Sequence, residues 1–340
     1  MVQITWLKGI ILALLGIAVF LLSAFAAVWW FRPGWYIVLL QRTGMANGTV
    51  NSFEEEYTVT DLENGIRLLS GVSYGNQYPN SFLDLYQNTA EDGLPTFFYI
   101  HGGGYAWGDK AEGDPNAQSD TEATASLQSI CAGGWNVVSI NYALAPDYLY
   151  PTPILQLNQA VRFLQDTDLC VDMTRVVFSG GSAGGQLAGQ YVNLVTNSAY
   201  AAEMEIKPAL STEEVLGIVF NSSLLEPESF AHTGDISTDL LFSALGRCYF
   251  GTDKEVLQQA DIILHLTSDF PSAYITDGNH GTFNAQAERL DEALTGLNIP
   301  HTCNFYPDVQ LGHGYDSFLD DPYAQDNLAK TLEFLTQLKQ

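Results

Sequence analysis

Val176-Val177-Phe178-Ser179-Gly180-Gly181-Ser182-Ala183-Gly184-Gly185-Gln186 is the stretch that decides how this chain of 340 residues folds. A short apolar run is followed by Gly-x-Ser-x-Gly and then, from Gln186 to Thr196, by residues with helical spacing. A strand that turns sharply into a helix at a serine throws the hydroxyl out of the turn. Glycines on either side remove the Cβ atoms that would collide there. The pattern predicts a βα unit that displays Ser182 as a nucleophile at a strand's carboxyl end.

Outward from this unit the chain alternates between strand-like and helix-like runs, with no internal repeat and no low-complexity tract. Phe82 to Tyr86, Thr96 to Ile100, Trp135 to Asn141, Gly217 to Asn221, Ser272 to Thr276 and His301 to Tyr306 read as strands. Asp120 to Ala132, Ile154 to Asp166 and Asn284 to Leu297 read as helices. Such alternation predicts a mostly parallel sheet covered on both faces, whose site lies at the carboxyl ends of the strands.

Directly after the strand Thr96 to Ile100 comes His101-Gly102-Gly103-Gly104. A run of glycines lets backbone N–H groups face a carbonyl oxygen without side chains in the way. Gly103 and Gly104 are expected to supply two such donors and Ala183 a third, and the loss of one oxyanion donor costs about 2.7–4 kcal/mol of barrier. His101 is expected to brace the loop. Of six histidines, His313 fits the general base, because Leu311-Gly312-His313-Gly314 follows the last strand-like segment and comes last in the order Ser…Asp…His. His232 and His265 fall in what reads as a cap insertion, and His301 within a strand. Asp277 follows the strand Ser272 to Thr276 and precedes His313 by 36 residues, so it is the expected acid; Glu226 and Asp308 compete. Tyr105, Trp107 and Tyr142 are read as lining the substrate pocket or as core.

The formal net charge is −26, from 13 Lys+Arg against 39 Asp+Glu. Nothing in that balance neutralises a run of phosphates, which excludes nucleic acid as a partner and disfavours docking on anionic lipid through a basic patch. Glu54-Glu55-Glu56 reads as a solvated face. Cys131, Cys170, Cys248 and Cys303 are scattered, without a CxxC pair or a Cys/His cluster at metal spacing, and are read as structural. No metal is expected.

From Gly9 to Phe31 run 23 residues without a charge, between Lys8 and Arg32. At about 1.5 Å per residue a helix of this length spans a hydrocarbon core of about 30 Å. Trp6 at one end and Trp29, Trp30 and Trp35 at the other suit the membrane interfaces, and Pro33-Gly34 is expected to end the helix. Ala24-Phe25-Ala26 offers a rival reading as a signal-peptidase site, but the apolar run continues beyond it. The reading adopted is an uncleaved single-pass anchor held by membrane lipid over residues 1–34, a juxtamembrane segment over 35–65, and a large domain over 66–340 on the extracytoplasmic side.

Together these elements resemble the α/β-hydrolase superfamily, and within it the hormone-sensitive-lipase-like carboxylesterases, over about residues 66–335. Leu83-Asp84-Leu85-Tyr86, the extension Gly104-Tyr105-Ala106-Trp107-Gly108-Asp109-Lys110, Asn141-Tyr142-Ala143-Leu144-Ala145-Pro146 with Pro151, and Gly180 to Gly185 match that family's pattern. The resemblance implies an α/β-hydrolase fold behind one transmembrane helix, a Ser182–His313–Asp277 triad, an acyl-enzyme intermediate, a small-molecule ester substrate and no cofactor. The chain departs at the acid. Relatives carry an Asp-Pro-Leu-like turn whose Asp falls in register at Gly281, with Asp277 as the substitute. Residues 224–265 resemble no particular lid. A serine peptidase of the same fold and an inactive membrane-tethered binding protein are the alternatives.

Overall fold

The computed structural model describes residues 2–43, 51–62, 65–111 and 120–339. Part of the juxtamembrane stretch, residues 44–50 and 63–64, lies outside them. Among the described residues a single sheet of nine strands forms the frame, ordered β1 (Thr58–Asp61), β2 (Ile66–Ser73), β3 (Phe82–Asn88), β5 (Asn136–Ile140), β4 (Pro95–Ile100), β6 (Asp172–Gly181), β7 (Val215–Asn221), β8 (Ser272–Thr276) and β9 (His301–Asn304). From β4 onward every pairing is parallel, and β1, β2 and β3 extend one edge antiparallel.

Side chains of period two sort the core into two layers. Phe98, Val138, Phe178, Ile218 and Ile275 point to one face, where α4 (Thr152–Asp166), α5 (Ala183–Thr196) and α9 (Asn284–Leu297) cover them; the short helices α6 (Ser198–Glu203) and α8 (Lys254–Gln259) fall between α5 and α9 in the chain. Phe97, Val137, Val177, Val219 and Tyr274 point to the other, under α3 (Asp120–Ala132) and α10 (Pro322–Gln337). Both faces of the central strands are dry, which is why those strands read as continuous apolar runs.

Asp84 on β3 is buried and accepts from Ser70 Oγ at 2.7 Å and from the Gly71 amide at 3.0 Å. The ammonium of Lys110 lies 3.3 Å from the same carboxylate and also pairs with Glu55. Glu54, Glu55 and Glu56 are all exposed, as read, and Glu55 reaches from that solvated face to the buried Lys110 ammonium. Asn141 ties the loop down further, accepting from the Lys110 amide at 2.7 Å and donating to Asp109 at 2.9 Å. These bonds hold the stretch after the triple glycine to the sheet.

At the amino terminus α1 (Val2–Phe31) is followed at once by α2 (Pro33–Arg42). Proline has no N–H and forces the residue before it out of helical geometry, so the break falls at Arg32, with φ −138° and ψ 56°. The stretch Ile10–Phe31 has none of its length buried against the rest of the protein. By contrast α2 packs on the main body: Ile37 is fully buried, and the Gln41 amide donates to the carbonyls of Ala106 at 2.6 Å and Ala145 at 3.1 Å.

Candidate active site

Between β6 and α5, Ser182 adopts φ 53° and ψ −116°, a left-handed conformation that a non-glycine residue holds only under the constraint of its surroundings. The constraint is visible: the Ser182 amide donates to the Asn221 carbonyl at 2.9 Å, and the Ser182 carbonyl accepts from the Leu224 amide at 3.2 Å. A Cβ on Gly184 would lie 2.0 Å from the Ile100 carbonyl oxygen, so only glycine lets α5 start this close to β4.

Ser182 Oγ lies 3.0 Å from Nε2 of His313. On the far side of the imidazole Nδ1 lies 3.0 Å from Thr282 Oγ1, and the Thr282 hydroxyl donates to Asp277 Oδ1. An ionised carboxylate accepts only. Thr282 therefore gives its proton to Asp277, its oxygen accepts from Nδ1–H, and Nε2 is left bare toward the serine hydroxyl. Asp277 thus reaches His313 through the Thr282 hydroxyl. The competing acids stand elsewhere: Glu226 accepts from Arg289 at 2.6 Å and Asp308 is exposed on its loop.

Burial acts on both titrating groups. It pushes the Asp277 carboxyl up to about 7, with the hydrogen bond from Thr282 opposing the shift. It pushes the His313 imidazole down to about 4, and Phe242 and Phe283 meet that ring edge-on at 5.1 and 5.3 Å. The histidine loop is stapled from below. Asn279 donates to the carbonyls of Tyr306 and Val309 at 3.1 and 2.7 Å, and the Gly314 amide donates to Ser222 Oγ at 3.1 Å. Thr282, Asn279 and Ser222 carry no motif of their own; a small polar residue beside the missing acid was the one available signal, and only for Thr282.

The triple-glycine loop faces Ser182. Gly103 has φ +92°, and a Cβ there would sit 2.2 Å from the Trp107 carbonyl oxygen. Among the described residues the amides of Gly103 and Gly104 donate to no other group. His101 is buried, its Nδ1 lies 2.9 Å from the Gly102 carbonyl, and its ring stacks on Tyr142 at 4.3 Å. The Tyr142 hydroxyl donates to the carbonyls of His101 and Gly102 at 3.0 and 3.1 Å. So His101 and Tyr142 brace the loop from behind.

A small, largely apolar cavity opens beside Ser182, lined by Gly104, Tyr105, Ala183, Leu224, Phe230, Phe242, Leu245, Gly246 and Phe283. Tyr105 lies on its wall and is itself buried. Trp107 and Tyr142 are not on its wall; both are buried behind the loop, because its backbone uses them as packing and as a hydrogen-bond donor. Phe242, Leu245 and Gly246 come from α7 (Ile236–Tyr249), so the segment expected to form a cap supplies the roof. On the other side of His313 a wider groove reaches solvent past Asp235, Thr238 and His280.

All four thiols are free, Cys131 and Cys248 buried, Cys303 partly so and Cys170 exposed. Cys303 approaches Asp291 and His301 with ligand-type atoms within 4.8 Å of one another. This cluster was invisible in the spacing because Asp291 comes from α9 and the other two from β9.

The same arrangement of elements is found in solved esterases. Esterase B from Lactobacillus Rhamnosis has a TM-score of 0.66 at 18% identity, over 82% of this chain and 87% of that one. An esterase from the bacterial hormone-sensitive lipase family gives 0.59 at 20% identity, over 82% and 86%. Among curated proteins, Carboxylesterase NlhH of Mycobacterium tuberculosis is 31% identical over 105 residues, 30% of each chain. Arylacetamide deacetylase of Oryctolagus cuniculus is 38% identical over 229 residues, 66% of this chain and 52% of that protein. The chain therefore spans about a third to a half of the length of these relatives. Residues 83–294, from β3 to α9, fit the BD-FAE profile, and this chain, with its α/β-hydrolase fold, belongs to the BD-FAE family.

Proposed function

We propose that the protein hydrolyses carboxylic esters, with Ser182 as nucleophile and His313 as general base. The observation that carries the reading is the 3.0 Å approach of Ser182 Oγ to a bare His313 Nε2. As Oγ attacks the ester carbonyl carbon, its proton passes to Nε2. The carbonyl oxygen becomes an oxyanion that the amides of Gly103, Gly104 and Ala183 receive. When the tetrahedral species collapses, the C–O bond to the alcohol breaks and His313 returns the proton to the leaving oxygen. Water, activated by the same imidazole, then releases the acid from Ser182. Asp277 stabilises the imidazolium through Thr282.

The two sides of the serine divide the substrate. The cavity under α7 is walled by Leu224, Phe230, Leu245 and Phe283 and takes the acyl group. The wider groove beside His313 is solvent-facing and receives the alcohol next to the base that protonates it. The esterase names among the relatives and neighbours agree with this chemistry. The apolar helix serves as an uncleaved anchor, supported by the docking of α2 directly behind it.

Labelling of detergent-solubilised protein with a fluorophosphonate probe, followed by hydrolysis of aryl esters of graded acyl length, tests the reading. Labelling lost in Ser182→Ala together with ester turnover supports it. A parent protein that neither labels nor turns over any ester overturns it in favour of an inactive scaffold. Preference for a prolyl arylamide over every ester points to a peptidase.

A further inference from the structure

Helix α7 presents two different faces. Phe242, Leu245 and Gly246 border the cavity over Ser182. At about 100° per residue, Ile236, Leu240, Ser243 and Arg247 fall on one stripe on the opposite side. The last residue of that stripe rests on the end of α1: the Arg247 guanidinium lies 4.3 Å from the Trp29 ring centroid and 4.6 Å from that of Trp30. It also donates to the Trp29 carbonyl at 3.1 Å. Ile236 and Leu240, farther along the same stripe, are 81% and 51% exposed.

Helix α2, packed against α7, repeats the arrangement. Ile37 and Gln41 face the body, whereas Trp35 and Leu39, one turn apart, are 71% and 53% exposed. Four large apolar side chains are therefore turned to the outside on the two helices that adjoin the end of a 22-residue apolar helix. Asp239, between Ile236 and Leu240 on α7, is half-buried and accepts from the amide and hydroxyl of Thr233, each at 2.7 Å. Where α1 leaves the hydrocarbon, the neighbouring layer is the bilayer interface, which favours tryptophan and aliphatic side chains. Arg42 shares the exposed side of α2, and a side chain of this length carries its charge from an apolar surface out to the headgroup layer.

We infer that the α2–α7 face beds in the membrane interface, and that the ester drawn to Ser182 is a lipophilic one taken from the bilayer. This rests on the esterase and anchor readings above. The roof of the acyl cavity is then the inner side of a helix whose outer side touches lipid. An acyl chain has only α7 to pass between membrane and nucleophile.

The test uses the full chain in phosphatidylcholine nanodiscs with two substrates, a short-chain water-soluble aryl ester and a diacylglycerol carried in the same bilayer. The double variant Ile236→Asp with Leu240→Asp is compared with Leu264→Asp, which alters an exposed leucine elsewhere. Loss of apolar contact at two side chains is expected to lower diacylglycerol turnover by about tenfold or more. Soluble-ester turnover stays within about twofold, and the control loses neither. Equal diacylglycerol rates in the double variant and the control overturn the inference while leaving the esterase reading intact. Failure of the unaltered protein on both substrates overturns the esterase reading instead, and its release from membranes by alkaline wash overturns the anchor. Should the charged variants not fold, quenching of tryptophan fluorescence by brominated phosphatidylcholine decides. Quenching that drops in Trp35→Phe supports the inference, and quenching unchanged in that variant overturns it.

Discussion

Thr282 stands between Asp277 and His313, its hydroxyl bonded to the carboxylate and its oxygen 3.0 Å from the imidazole Nδ1. A threonine in this place transmits the carboxylate's charge and fixes the tautomer without touching the serine. Thr282→Val keeps the shape and removes the hydroxyl, so kcat is expected to fall by about a hundredfold, within the range typical of general acid–base contributions. Thr282→Ser should retain most of the rate. Steady-state kinetics on one soluble ester measures both; a valine variant as active as the parent would remove Thr282 from the relay.

The opposed shifts of the two groups shape the pH profile. With His313 held down to about 4, the imidazole stays free to accept a proton where an ordinary histidine is charged. Asp277, raised to about 7, is half ionised at neutrality and a full carboxylate above it. As pH falls, kcat/KM should therefore drop in two steps, near 7 and near 4. In Asp277→Asn the upper step should disappear.

The same carboxyl acts on stability. Its folded value lies above the usual 3.8, so the folded chain holds more protons than the unfolded one between those limits, and this group's contribution declines as pH rises through the window. Asp277→Asn is expected to melt at a higher temperature than the parent at pH 8, with the gap closing toward pH 4. Calorimetry at several pH values checks it. A gap that widens on acidification would contradict the sign.

A Cβ at Gly103 would meet the Trp107 carbonyl oxygen at 2.2 Å from a backbone with φ +92°. Gly103→Ala must therefore shift the loop and misalign its amides. A loss of about 10²–10³ in kcat is expected, the size seen when one oxyanion donor goes. Fluorophosphonate labelling would slow with it, whereas circular dichroism would not change.

Removing one partner of a buried ion pair leaves an uncompensated charge. Lys110→Met strands the buried Asp84 and should destabilise the protein by about 3–5 kcal/mol. Urea unfolding measures it. A variant as stable as the parent would show that the pair contributes register and not stability.

What could be read in advance follows the range of the forces involved. Ser182, the glycine loop and the central strands were legible because each depends on neighbours within a few residues: a turn that excludes side chains, or a run dry on both faces. β8 and α9 fell at Ser272–Thr276 and Asn284–Leu297 as expected. β1 was missed because all four of its residues are exposed, and β2 because Gly71 interrupts its alternation at an irregularity in its pairing with β3. The relay through Thr282 escaped for a different reason. It joins residues 5 and 31 positions apart, and the tilt of two loops, set by Asn279, decides whether a carboxylate meets an imidazole directly. The two faces of α7 likewise gain meaning only from Trp29, 218 positions away.

The distribution of sulfur has a practical corollary. Burial lifts the thiols of Cys131, Cys248 and Cys303 to about 12, 11 and 12, far from their reactive form at neutral pH. Cys170 is exposed, just before β6 begins, while Ser182 lies just after it ends. An alkylating dye would therefore settle at one address, a full strand's length from Ser182, and the native molecule offers a ready attachment point for measuring how high its body rides above a supporting surface.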